Sequence, residues 1–208
     1  MRIIKDPEER RNEILDVAEE LLRTKGYDKM TVNDILKEVK IAKGTFYHYF
    51  RSKEAVMEAV VDRIINNGVK IAKSIAADKQ LGVPEKIFQI LIAQGPDMNK
   101  QQIIDELHQV NNEKMHQKSL VETIIHLTPI LTDVIEQGID EGIFKTPYPK
   151  ETIEILLVAS QFIFDEGIFN WPPEELAKKA VAFVHIVETT LGAKKGTFSF
   201  ILEIINKH

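Results

Sequence analysis

An all-α fold is predicted for this 208-residue chain by three observations. Apolar residues recur at three- and four-residue spacing in nearly every segment, the period of a helix with one buried face. No strand-type alternation runs for a useful length. Proline and glycine gather between the periodic runs, at Gly26, Gly82-Val83-Pro84, Gly95-Pro96, Pro147-Tyr148-Pro149 and Pro172-Pro173, where they act as breaks. The breaks divide the chain into about nine or ten helices. There is no internal repeat and no low-complexity tract.

Composition narrows the functional classes. Apolar residues make up 44% of the chain and charged residues 28%, enough for packed cores with an ordinary polar surface. Cysteine is absent, which excludes a disulfide framework and thiolate-bound zinc or iron–sulfur clusters and fits a reducing cytoplasm. No apolar run approaches the ~18 residues of a membrane span. Met1 to Arg11 is charged and lacks an apolar signal core, so a cytoplasmic location is expected. The net charge of −5 is unevenly spread: residues 1–53 hold 12 Lys and Arg against 10 Asp and Glu, while the rest hold 15 against 22. A weakly basic head on an acidic body is compatible with nucleic acid at one end only.

The elements follow in order. Arg2 to Asp6 reads as a short arm. Asp6-Pro7-Glu8-Glu9 starts a helix with a cap, a proline at the first position and acid in the first turn. Ile14, Val17, Ala18, Leu21 and Leu22 form its stripe, and Gly26 ends it beside Arg23 and Lys25. In residues 31–53, Val32, Ile35, Leu36 and Val39 share one helical face, behind a capping-box-like Thr31 and Asp34. Lys40-Ile41-Ala42 interrupts the run. A second short helix from Lys43 carries Phe46 and Phe50, four apart and expected inward. Two helices joined this tightly form a helix-turn-helix, whose second member can enter a DNA major groove. Lys43, Thr45, Tyr47 and His48 then face elsewhere, offering phosphate and base-edge partners. Gly44 permits close backbone approach. Ser52-Lys53-Glu54 reads as the cap and first turn of the next helix, where backbone N–H groups can bind a phosphate and Lys53 adds positive charge; Thr31 and Tyr49 are the other expected phosphate contacts.

Beyond Lys53 a long helix runs through Val56, Met57, Val60, Val61, Ile64 and Ile65 toward Ile75, with a bend expected at Gly68. Short helices follow at 85–94 and at 99 to about 110. Lys118 to Glu141, with a start as early as Asn112, keeps a seam of Leu120, Ile124, Leu127, Leu131, Ile135 and Ile139. Pro129 inside it is expected to kink or divide the helix. Helices at 151–169 and 174–191 precede a last one at 198–205. Both carry more apolar surface than one buried face needs. The second burial surface is expected to be another copy of the chain, giving a homodimer with two recognition helices roughly 34–36 Å apart.

Lys43-Gly44-Thr45-Phe46-Tyr47-His48-Tyr49-Phe50, with Ser52-Lys53-Glu54, closely resembles the recognition-helix signature of the TetR-type transcriptional regulators. The resemblance reaches back through Ile14-Leu15-Asp16-Val17-Ala18, Gly26-Tyr27 and Thr31-Val32-Asn33-Asp34-Ile35, about the first quarter of the chain. Two residues depart from the family pattern. Lys40 stands where glycine is frequent, and a left-handed backbone there would cost roughly 1 kcal/mol. Ala42 replaces a frequent capping serine, worth about 1 kcal/mol.

The resemblance implies a DNA-binding head at 1–52 and a ligand-binding and dimerisation body at 53–208. It implies a repressor that holds a palindromic DNA operator as a homodimer and is released by a small-molecule effector. Candidate pocket residues, of mixed character on apolar helices, are Phe88, Met98, His126, Gln161, Phe162 and Trp171; core packing is the alternative for each. Few basic residues sit in those helices, so an apolar or weakly polar effector is expected.

The rival reading is a helical-bundle metal-dependent enzyme, or a small-molecule carrier without specific DNA binding. Glu113-x-x-His116 has the spacing of half a carboxylate di-iron site, but no second Glu-x-x-His exists in the chain. His185 and Glu188, in the reverse order, are expected to pack or pair. No Gly-rich phosphate loop, nucleophile elbow or His-Glu-x-x-His motif occurs. No metal, cofactor or catalytic residue is therefore assigned.

Overall fold

The computed structural model describes residues 6–95, 98–108 and 113–205. The arm before Asp6 lies outside them. Among the described residues are ten α-helices. They group into two compact units, Met1–Asn66 with Pro96–Ser119, and Asn67–Gly95 with Leu120–His208.

The first unit begins with α1 (Pro7–Lys25), α2 (Val32–Val39) and α3 (Lys43–Tyr49). Asp6 caps α1 by accepting the Glu8 N–H at 2.8 Å, and Gly26 closes it with φ +77°. Thr31 and Asp34 complete a full capping box on α2. The turn after α2 passes through Lys40 at φ 57°, ψ 47°, the left-handed conformation that glycine adopts without strain. No side-chain cap bond forms at Ala42, so α3 starts without the hydroxyl a serine would supply.

Helix α4 (Lys53–Ala77) starts in this unit, capped by Ser52 Oγ, which accepts the Ala55 N–H at 3.2 Å. Helix α6 (Met98–Leu107) and the start of α7 (Glu113–Asp140) complete the unit. The apolar stripes converge on one core in which Ile14, Leu22, Ile35, Phe46 and Met57 are fully buried. Ile103 and Leu107 of α6 belong to that core, so α6 packs with the head helices. Arg63 of α4 reaches back to α1, donating to Asp16 at 2.6 Å and to Glu19. Burial opposes the Arg63 charge, but these two carboxylates outweigh it and raise its pKa.

The second unit holds the rest of α4 and α7, with α5 (Val83–Gln94), α8 (Pro149–Ile163), α9 (Pro173–Thr190) and α10 (Phe200–Ile205). Three segments singled out in the sequence lie here. Gly68 does not interrupt α4. It is buried, and its bare backbone lets Gln94 approach and donate to the Gly68 carbonyl at 3.2 Å. Pro129 does not divide α7, which runs unbroken through it. Thr128 and Thr132 on either side donate to the carbonyls of Ile124 and Thr128, each at 2.7 Å, and tie the turns around the proline together.

The helix expected at 151–169 stops at Ile163. Phe164 leaves helical geometry, the N–H groups of Ile168 and Phe169 turn back to the Asp165 carbonyl, and Trp171 Nε1 donates to the last helical carbonyl, Ile163, at 2.9 Å. Apolar periodicity continues past 163, but this turn ends the helix.

Two buried charged groups are held by polar partners. The Lys86 ammonium donates to Ala76 O at 2.8 Å and to Gln137 Oε1 at 2.9 Å. Glu188 does not pair with His185; its buried carboxylate accepts the N–H groups of Gly196 at 2.7 Å and Phe198 at 3.2 Å, fixing the turn before α10.

Candidate nucleic-acid interface and ligand cavity

Helix α3 is short, so its faces are set by two anchors. Phe46 and Phe50 are buried, their rings 6.1 Å apart, and Arg11 stacks over Phe50 at 5.2 Å. With that side fixed, Lys43, Gly44, Tyr47 and His48 are exposed and Thr45 is half-buried. Tyr47 is 46% exposed although its ring packs edge-on against Phe46. The Lys43 ammonium lies 5.9 Å from the Tyr47 ring centre, so cation and phenol share one patch. A Cβ added at Gly44 would meet nothing within 4 Å. Tyr49 is half-buried against the core, edge-on to His48.

Thr31 and Lys53 are more committed. The Thr31 hydroxyl donates to Asp34 Oδ2 at 2.7 Å, and Lys25 donates to Asp34 Oδ1 at 3.0 Å. These bonds from Thr31 and Lys25 hold the Asp34 carboxyl down to about 2. The Lys53 ammonium donates to Tyr27 O at 2.9 Å and sits 4.0 Å above the Tyr27 ring.

Tyr27 gathers further partners. Its hydroxyl donates to Glu54 at 3.2 Å, and burial followed by the Glu54 charge pushes the phenol up to about 12. Its N–H donates to Glu106 of α6 at 2.6 Å. A Cβ at Gly26 would lie 2.7 Å from the same carboxylate. Sequence reasoning misses Glu106, because nothing in a lone acid on a weakly amphipathic helix says which backbone it will cap.

The second unit contains a cavity of about 300 Å³. Its walls are apolar: Ile87 and Leu91 from α5, Leu131 and Ile135 from α7, Leu156 from α8 and Phe183 from α9. Polar groups enter from the end of α8 and the turn beyond it, as Ser160, Gln161, Glu166, Asn170 and Trp171. Of the sequence candidates, Gln161 and Trp171 line this cavity. Phe88 packs edge-on against Phe200 at 5.1 Å, His126 lies 3.5 Å from Glu122 on α7, and Phe162 is half-buried on α8. The Met98 side chain falls outside those described. The turn at 164–171 supplies most of the polar lining, within a stretch whose apolar periodicity predicts helix as far as 169.

Comparison with known proteins matches two family models to the chain. "Bacterial regulatory proteins, tetR family" covers residues 14–60, and "Tetracyclin repressor-like, C-terminal domain" covers residues 96–186. The chain belongs to the TetR family. Among curated relatives, the HTH-type transcriptional regulator YvaF of Bacillus subtilis is 34% identical over 89 residues, 42% of this chain and 46% of that one. The Escherichia coli repressor NemR is 42% identical over 53 residues, 26% of this chain and 27% of that one. The matched stretches thus span less than half of these relatives.

Solved structures share the fold over nearly the whole length. A TetR/AcrR-family regulator from Thermobifida fusca superposes with TM-score 0.57 at 24% identity, covering 90% of this chain and 99% of that one. The complex of SmeT with triclosan does so with TM-score 0.55 at 16% identity, covering 91% and 94%. No helix among the described residues of this TetR-family chain is long and apolar enough to cross a membrane.

Proposed function

We propose that this protein is a ligand-responsive transcriptional repressor that binds a palindromic DNA operator as a homodimer and is released by a small molecule. Residues 1–52 form the DNA-binding part and residues 53–208 the ligand-binding and dimerisation part. The observation that carries the reading is α3: two buried phenylalanines fix its inner side, and a cation, a phenol and an imidazole stand on the outer one. Lys43 or His48 reads base edges, with Thr45 and Tyr47 beside them, and Gly44 lets the backbone close on the duplex. Thr31, Tyr49 and Lys53 lie along the rim and meet phosphates, Thr31 and Lys53 by exchanging an internal partner for one.

The dimer uses α8 and α9. Ile155 is 68% exposed and Val181 60%, with Val158 and Ile186 also outward, an apolar display that a second copy would cover. The regulator works in the cytoplasm, where its operator is. That the repressor SmeT was solved with a small molecule, triclosan, supports an effector for this chain too.

The test is selection of bound fragments from random DNA by the full chain, repeated with candidate small molecules. A winning sequence with two-fold symmetry, released on adding an effector, is the expected result. Recovery of no sequence above background, by protein shown to be folded and dimeric, would overturn the proposal.

A further inference from the structure

The cavity of the second unit is asymmetric in chemistry, and the asymmetry names a ligand class. Among its described lining residues no Lys, Arg or His appears, and Glu166 is the sole formal charge among them. Glu166, Gln161 and Asn170 all come from one stretch of chain, residues 160–171, which also carries the Phe169 and Trp171 rings, stacked 4.8 Å apart. Apart from Ser160, the rest of the wall is aliphatic or phenylalanine. A hydrocarbon body gains from the apolar end in proportion to the area it buries. A head group at the other end meets a carboxylate, two amides and aromatic faces, an assembly that attracts a cation and sets only neutral amide and hydroxyl donors against the carboxylate's repulsion of an anion.

We infer that this cavity selects its ligand by head-group charge, taking an apolar amine as its ammonium ion, with the hydrocarbon among the aliphatic walls and the nitrogen at Glu166, and rejecting the matching carboxylate. The inference rests on the effector site proposed above and adds the ligand's class. About 300 Å³ is at the small end of ligand sites, so a single unbranched or singly ringed body fits better than a fused polycycle. Lys179 stands 3.9 Å from the Trp171 ring centre. It is not part of the lining, and it ion-pairs with Glu175 at 3.7 Å.

The chain carries its own reporter, because Trp171 is its single tryptophan and lines the polar end. Three probes of equal length, decylamine, decan-1-ol and decanoate, are titrated against the full-length protein at neutral pH while tryptophan emission is followed. The expected order is amine tightest, alcohol weaker and decanoate weakest, with about tenfold between the two charged probes. In Glu166→Gln, an exposed position whose change leaves the core untouched, the amine should fall to the level of the alcohol. Thermal melting of both proteins with each probe gives the same order independently of fluorescence. Decanoate binding as tightly as the amine, an amine preference unchanged in Glu166→Gln, or no saturable binding of any probe would each overturn the inference. These outcomes are separable from the regulator reading. A palindromic operator recovered without amine selectivity removes only the ligand class, whereas amine selectivity without operator binding removes only the regulator.

Discussion

Gly44→Ala separates what folds α3 from what α3 does. Gly44 lies in the first turn of the helix, its φ is not in the left-handed range, and an added Cβ meets nothing within 4 Å. Alanine there carries no steric cost and removes the entropic penalty of glycine in a helix, roughly 0.5–1 kcal/mol in favour of the fold. For a chain of this length that is about 1–4 °C in melting temperature. The same methyl projects from the surface proposed to meet DNA. If backbone there packs against the duplex, the methyl should cost about 1–2 kcal/mol of binding, a loss near tenfold. Differential scanning calorimetry and fluorescence anisotropy on the selected operator give the two numbers from one preparation. Gly138→Ala is the counter-example: a methyl at that buried position in α7 would overlap the Phe144 ring and reach Val83, so melting should fall by the equivalent of about 1–3 kcal/mol. Stabilisation by Gly44→Ala with operator affinity unchanged would refute the close approach. A lower melting temperature would refute the local geometry.

Three further outcomes rest on individual side chains. Lys43→Ala combined with Tyr47→Ala should weaken operator binding and flatten the salt dependence of log K by about one unit for each phosphate no longer neutralised, read from anisotropy titrations across ionic strength; an unchanged slope would remove this patch from the interface. Glu188→Ala leaves the Gly196 and Phe198 amides without their acceptor and should cost about 2–4 kcal/mol in chemical denaturation, while Glu188→Gln, which keeps a carbonyl, should cost less. Asp34 gives a pH signature: its carboxyl sits near 2 in the fold and at about 3.9 in the unfolded chain, so its contribution is complete above pH ~4 and disappears as pH falls through 2. The melting-temperature gap between the natural protein and Asp34→Asn should therefore narrow between pH 5 and pH 2, and a gap constant over that range would count against the capping-box bond to Thr31.

Local physics explains which parts of this structure are legible in the sequence. The head is legible because its signals are short-range: a Thr31–Asp34 box spans three residues, and Phe46 and Phe50 lie on one face by helical period alone. The strained Lys40 and the uncapped Ala42 are visible for the same reason, each being a departure at a position whose backbone demand is known. The body is legible as helices but not in how they end or what they touch. Apolar periodicity carries 151–169 past its true stop, since Phe164, Ile168 and Phe169 are as hydrophobic as the helix before them, while the end is set by the turn onto the Asp165 carbonyl and the Trp171 bond to Ile163. The cavity suffers most. Its polar end is made by that turn, and its walls come from residues such as Ile87 and Phe183 whose identity is that of any core residue.

The placement of α6 bears on how such a protein could be switched. Sequence order puts α6 beyond the long helix, yet Ile103 and Leu107 are buried with Phe46 and Met57, and Glu106 holds the Tyr27 amide at the junction of α1 and α2. Lys53 and Glu54, the first residues of α4, hold the carbonyl and hydroxyl of the same tyrosine. One residue is thus bound at once by α4, which leads out of the head, and by α6, which packs within it. A ligand shifts a population only by its differential affinity for two states, and a hundredfold change needs about 2.7 kcal/mol of it. Three polar bonds on Tyr27, at roughly 0.5–1.5 kcal/mol each, are of that size together. Breaking or keeping these bonds is therefore large enough to distinguish two arrangements of the head, whereas a surface pair such as Lys178 with Glu174 is not.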